Sequence, residues 1–170
     1  GMTIPSLRSA VRKAMRAFPG KKLGLVVVDY LQLLNGRDLV PPKSTREQEV
    51  AELVKRVTWM AGEFGAPFLA LSQINRSVED RSNKNKRPKI SDLRESGAIE
   101  QDAYTISLLY RDEYYNKDSR DKGVVEWIVD KNRGGATGRA FLKFTAEYGR
   151  VDNLAADYEY GGDYDTGDQQ

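Results

Sequence analysis

The chain has 170 residues, 39% hydrophobic and 31% charged, which suits one water-soluble globular domain and is too short for two ordinary ones. It contains neither cysteine nor histidine, so disulfides, thiolate metal sites and any imidazole base, nucleophile or ligand are excluded. Net charge is only +2, but it is unevenly spread: 76-RSVEDRSNKNKRPKISDLR-94 is basic and 157-DYEYGGDYDTGDQQ-170 is acidic and rich in Gly and Tyr. Carboxylate, Lys, Arg, Ser/Thr and Tyr chemistry remains, a palette compatible with phosphate handling. No apolar run approaches a membrane span, and the start has no signal-peptide pattern.

Gly1 ahead of Met2 reads as a remnant of tag removal. Ser6 to Ala17 places Leu7, Val11, Ala14 and Met15 on one helical face with Arg and Lys opposite; Pro5 suits its first turn, and Pro19-Gly20 breaks it. The continuous run 23-LGLVVV-28 predicts a strand buried on both faces, followed by a polar loop with Pro41-Pro42. Ser44 to Gln48 offers capping residues for a helix over 46–64, whose apolar face is Val50, Leu53, Val54, Val57 and Met60; Gly65 closes it. A second buried strand, 67-PFLALS-72, ends at Ser72-Gln73. The basic segment, with Pro88 inside it, reads as a mobile loop, and a short helix is expected around 97-GAIEQDA-103. Three further strands read as 104–110, 124–130 and 139–144, the last two joined as a hairpin by 134-GGATG-138. From about Ala155 the acidic end reads as a disordered tail, leaving one folded domain over 1–154. The fold class expected is α/β, with parallel core strands, an antiparallel hairpin edge and helices on both faces. The chain opens on a helix feeding the first strand, as though earlier strands of the sheet were missing.

Ligands of an open parallel sheet lie beyond the carboxyl ends of its strands. Asp29 and Gln73 stand at two such ends. A carboxylate there holds a Mg²⁺ ion through water, and Gln reaches a γ-phosphate or its attacking water. The same pattern also fits an Asp that caps a loop and a Gln that satisfies a backbone group. In 91-SDLRESGAIEQDA-103, Arg94 suits a phosphate and the nearby Gly permits close backbone approach, while an internally paired loop, Arg94 with Asp92 or Glu95, is the better account of this segment taken alone. Lys131 and Arg133 lie two apart, so an extended backbone would project both to one side as fixed cations at a sheet tip; a basic hairpin tip in solvent is the plainer account.

Together, LGLVVVDYLQLL, LALSQINRSVEDR, SDLRESGAIEQDA and VDKNRGGATGRAFLKF closely resemble, in order and spacing, the latter part of the RecA-like motor domain of DnaB-type replicative DNA helicases, from about Thr3 to Asn153. The resemblance implies that Asp29 is the Walker B Asp that helps hold the Mg²⁺ of bound ATP. It makes Gln73 the residue that senses the γ-phosphate and connects it to the DNA-binding loops. Arg94, Glu95 and Gly97 match the loop that holds single-stranded DNA phosphates. Lys131 and Arg133 match the basic pair that reaches a neighbouring subunit's nucleotide, and Asn132 stands where the family usually has Gln.

The family implies a cytoplasmic homohexameric ring that moves along single-stranded DNA by ATP hydrolysis, with primase and a loader as partners. No Gly-x-x-x-x-Gly-Lys-Ser/Thr occurs in these 170 residues, so this resemblance predicts a piece of a motor that neither binds ATP tightly nor hydrolyses it alone. Two other readings are a non-enzymatic single-strand-binding or ring-modulating remnant, and a sibling RecA-superfamily ATPase such as a recombinase. SDLRESG argues against the last, by resemblance.

Overall fold

The computed structural model describes residues 1–81, 86–93 and 96–155. The chain divides into two units, one of Gly1–Asp80 with Ile90–Tyr104, the other of Arg81–Lys89 with the chain from Thr105 on. The tail expected from Ala155 lies, beyond that residue, outside the described residues.

In the first unit, strand β1 (Met2–Thr3) leads into helix α1 (Ile4–Ala17), capped where Thr3 Oγ1 accepts from the Ser6 N–H at 3.3 Å. Its buried residues are Ile4, Leu7 and Val11; Met15, expected on that face, is exposed. Strand β2 (Val26–Val28) pairs in parallel with β4 (Phe68–Ala70), and the short β3 (Leu34–Asn35) pairs in parallel with β1. Helix α2 (Arg46–Phe64) has the capping box anticipated from the sequence: Gln48 N–H donates to Thr45 Oγ1, and Gln48 Oε1 accepts from Thr45 N–H. Gly65 closes it at φ 60°, in the left-handed region that a side chain would strain. Val50, Leu53, Val54, Val57 and Met60 are buried as expected, and α2 packs against α1, β4 and the short helix α3 (Ser96–Asp102).

Two strand expectations change. The strand expected over 23–28 shortens to Val26–Val28, because its ladder partner starts at Pro67, whose carbonyl accepts from Val26 N–H. Nor are β2 and β4 covered on both faces. Val28 is buried, while Leu25, Val27, Leu69 and Leu71 are exposed. A uniformly apolar run announces two buried faces, yet here α2 packs against β4 while Val27 and Leu69 remain exposed.

The second unit is a four-stranded antiparallel meander in chain order: β5 (Thr105–Tyr110), β6 (Val124–Asn132), β7 (Gly138–Thr145) and β8 (Arg150–Asn153), with helix α4 (Asp112–Tyr115) after β5. The hairpin expected between the last two predicted strands is present as β6–β7. Ile106, Leu108, Tyr110, Val124, Val125 and Ile128 form the core. Glu126 is buried among them, and Arg87 donates to both its carboxylate oxygens at 2.8–3.0 Å while lying 5.0 Å from the Tyr110 ring centre. Burial, then the hydrogen bond to Asp112, push the Tyr110 hydroxyl's pKa up.

This corrects the reading of the basic segment as a mobile loop. Arg76–Val78 and Ile90–Asp92 are 3₁₀ turns, Val78 and Pro88 are buried, and Arg87 is held by Glu126; residues 82–85 lie outside the described residues. Arg87 is a structural cation, which charge counting along the sequence does not separate from solvated ones.

Candidate functional site

The parallel register Val28↔Ala70 carries both chains out of the sheet side by side. Beyond it, Leu71 N–H donates to Val28 C=O and Leu31 N–H to Leu71 C=O, each at 2.9 Å. Asp29 and Gln73 therefore leave adjacent strand ends, and both are exposed. The Asp29–Tyr30 peptide is cis. A 3₁₀ turn, Leu31–Leu33, then aims Gln32 at the exit of β4. Its Nε2 donates to Ser72 Oγ at 3.0 Å, and its Oε1 accepts from Gln73 N–H at 3.4 Å.

Gln32 is itself anchored. Its carbonyl accepts from Arg46 Nη2 at 2.8 Å, and Arg46 Nη1 meets Glu49 Oε1 at 2.5 Å. Glu49 is 2% exposed, accepts from Gly36 N–H at 2.8 Å and faces Arg37 at 3.4 Å. Burial alone would raise its pKa. The Arg46 hydrogen bond, the Gly36 N–H and the two guanidinium charges outweigh that and hold the carboxyl below its ordinary range. These groups line an open cleft of about 570 Å³ shared with Tyr30, Asn35 and Gln73.

Sequence reasoning missed Gln32, Arg46 and Glu49. For Glu49 a signal existed: it precedes Leu53 by four positions, on the buried arc of α2. For Gln32 there was none, because its partners lie 40 and 41 residues away.

Arg94 and Glu95, the expected DNA contacts, lie outside the described residues. The chain leading to them does not. Leu93 bridges Ile74 in antiparallel fashion, and Asn75 N–H donates to Asp92 C=O at 2.8 Å. Leu93 is thus held by the residue next to Gln73. Gly97 sits in the first turn of α3, exposed, with open space where a side chain would project.

Lys131 and Arg133 belong to the second unit, Asp29 and Gln73 to the first. The expectation that an extended backbone carries both fails at Arg133. Strand β6 ends at Asn132, whose Oδ1 accepts from Gly134 N–H at 3.1 Å and whose Nδ2 donates to Ala136 C=O at 3.2 Å, bending the chain at Arg133. Lys131 lies opposite Ile106, and Asp130 is the extra residue of a bulge beside it. Strand alternation does not set the relative direction of the two cations.

Among the described residues no group of three or more Asp or Glu stands close enough to hold a metal unaided. One exposed carboxylate at a strand end does fit an ion held through water and shared with phosphate oxygens, as Mg²⁺ is commonly held. Nor is any described helix long and apolar enough to cross a membrane.

A parallel pair with Asp29 and Gln73 at its carboxyl ends in the first unit, and an antiparallel meander in the second, are elements of a RecA-like ATPase domain. The structure matches one solved ATPase domain at TM-score 0.82 and 41% identity, covering 91% of this chain and 52% of that one. A DnaB-like replicative helicase, solved in a study of its interactions with primase, matches with the same score and identity over 91% of this chain and 36% of its own.

The chain belongs to the DnaB-like helicase C terminal domain family, matched over residues 1–153. It is 46% identical over 164 residues to the replicative DNA helicase DnaB of Haemophilus influenzae, covering 96% of this chain and 34% of that protein. To the DnaB of Geobacillus stearothermophilus it is 47% identical over 152 residues, 88% of this chain and 33% of the other. The chain therefore spans about a third of the length of these curated relatives.

Proposed function

We propose that this chain is the carboxyl-terminal portion of an ATP-dependent replicative DNA helicase motor that moves along single-stranded DNA as a hexameric ring. The observation that supports it most directly is the adjacency of Asp29 and Gln73, set by the β2–β4 register and braced through Gln32. Asp29 holds Mg²⁺ through water, and Mg²⁺ with ATP supplies the phosphoryl chemistry. Gln73 meets the γ-phosphate, its backbone N–H kept in place by Gln32. A shift of Gln73 passes to Ile74, thence across the bridge to Leu93 and the loop of Arg94, Glu95 and Gly97, which grips DNA phosphates. Lys131 and Arg133 act in trans on a neighbour's nucleotide, where fixed cations offset charge developing on the transferred phosphoryl group. Primase and a helicase loader are the protein partners, and the site of action is the cytoplasm.

The test replaces the matching segment of the Haemophilus influenzae relative with residues 1–153 of this chain. The hybrid is expected to form rings, hydrolyse ATP and unwind DNA. Arg133→Ala in it should lower ATP turnover about a thousandfold while nucleotide binding persists. A hybrid that assembles and binds DNA yet turns over no ATP, or an Arg133→Ala hybrid with normal turnover, would refute the reading in whole or in its trans part.

A further inference from the structure

One feature of the sequence is untouched by this function: the polar face of α1. Between Gly1 and Val28 there is no Asp or Glu, while Arg8, Arg12, Lys13, Arg16, Lys21 and Lys22 place six cations within fifteen residues. Glu63 of α2 engages Arg8 at 3.1 Å and Arg12 at 2.7 Å. Lys13, Arg16, Lys21 and Lys22 are exposed, with no carboxylate at ion-pair distance among the described residues.

The turn after the helix gathers these charges. Lys21 N–H donates to Phe18 C=O at 3.1 Å, with Pro19 and then Gly20 at φ 79° between them. A proline followed by a positive-φ glycine is the signature of a type II turn, stiff at its first corner and permitted at its second. It folds Lys21 back beside Phe18, which is 65% exposed, and Met15 is 40% exposed one turn earlier on the helix. A helix carboxyl terminus attracts cations by itself, but its dipole amounts to about half a charge and cannot account for four.

We propose that the carboxyl-terminal end of α1 and the turn Phe18–Lys21, with Lys22, form a second surface for single-stranded nucleic acid, separate from the Arg94 loop. A single strand offers both of the things this surface is built to meet: a phosphate per nucleotide for the cations, and open base faces for Phe18. Duplex DNA hides its base faces, and an acidic polypeptide has charge without bases to stack. This inference shares with the proposed motor function only its ligand.

The experiment uses the 170-residue chain and a fluorescein-labelled oligo-dT, with affinity read by anisotropy across a salt series. The variant K13Q/R16Q/K21Q/K22Q should bind at least tenfold more weakly at low salt, and its log–log salt slope should be shallower by about 3, from about 0.7 per phosphate contact over four contacts. Phe18→Ala should weaken binding about fivefold or more while leaving the slope unchanged, the mark of a stacking contact. If the fourfold variant loses helix content, the pair K21Q/K22Q, outside any helix or strand, carries the same test with half the slope change.

Three results overturn the proposal: no binding by the parent chain at low salt, an unchanged slope in the Lys/Arg→Gln variants, or equal competition by poly-L-glutamate. An unchanged slope combined with loss of binding in Arg94→Ala would return all DNA contact to the loop. That outcome removes the second surface and leaves the motor function, which rests on the hybrid's ATP turnover, standing.

Discussion

Glu49 is the most informative side chain to remove. Glu49→Ala takes away the acceptor of a buried N–H at Gly36, a loss of about 1–3 kcal/mol. It also deletes a methylene packed on Gly36, about 0.8 kcal/mol. The abandoned guanidiniums matter less than in a fully buried pair, because the Arg46 and Arg37 side chains are 36% and 57% exposed and water can take them up. About 3 kcal/mol is the expected total. Glu49→Gln keeps the methylene and an acceptor for Gly36, and should cost nearer to about 1 kcal/mol.

The two variants are compared with the parent by urea unfolding, followed by far-ultraviolet circular dichroism. Acidification supplies a second check. Because the folded pKa lies below the ordinary 4.5, the stability Glu49 contributes by its charge is present above 4.5 and lost as pH falls through the folded value. The gap between parent and Glu49→Gln should therefore be full at neutral pH and close on acidification. A Glu49→Ala cost within about 0.5 kcal/mol, the range of an ordinary surface change, would refute the claim that this carboxylate organises the cleft.

Gly36→Ala would set a Cβ 2.8 Å from Leu53 Cγ and 3.0 Å from Glu49 Cγ, so the variant should lose about 1–3 kcal/mol in thermal unfolding; an unchanged midpoint would show that α2 is not seated on this glycine. Arg87→Ala strips the guanidinium from a Glu126 side chain only 3% exposed, with an expected cost of about 3–5 kcal/mol in urea unfolding. The double variant Arg87→Met/Glu126→Leu should recover most of that loss, and failure to do so would mean that Arg87 acts chiefly through other contacts.

Where the fold was legible, the information was local. Helix α2 announced itself through capping residues at its start, a 3.6-residue apolar period and a closing glycine, none of which needs a distant partner. The β6–β7 hairpin was legible because its turn residues lie between its strands. What failed depended on other segments. Strand β2 is as long as its ladder with β4, not as long as its apolar run, and Val27 is as apolar as Val28 although only Val28 is covered. Arg87 looks like any other cation in a basic stretch until Glu126, 39 residues on, claims it.

The candidate site divides along the same line. Asp29 and Gln73 could be proposed from strand-end position alone, since ligands of an open parallel sheet lie beyond the carboxyl ends of its strands. Gln32 could not, because its hydrogen bonds to Ser72 and Gln73 exist only once β2 and β4 are in register. Yet Gln32 gives the arrangement its stiffness: it ties the exit of β4 to Arg46 and, through Glu49, to the first turn of α2. Under the function proposed for it, Gln73 must not drift by itself, or its displacement would carry no information. Gln73 is braced behind by this relay and followed at once by Ile74, paired to Leu93. In the proposed function, a displacement of Gln73 is therefore handed on through Ile74 to Leu93.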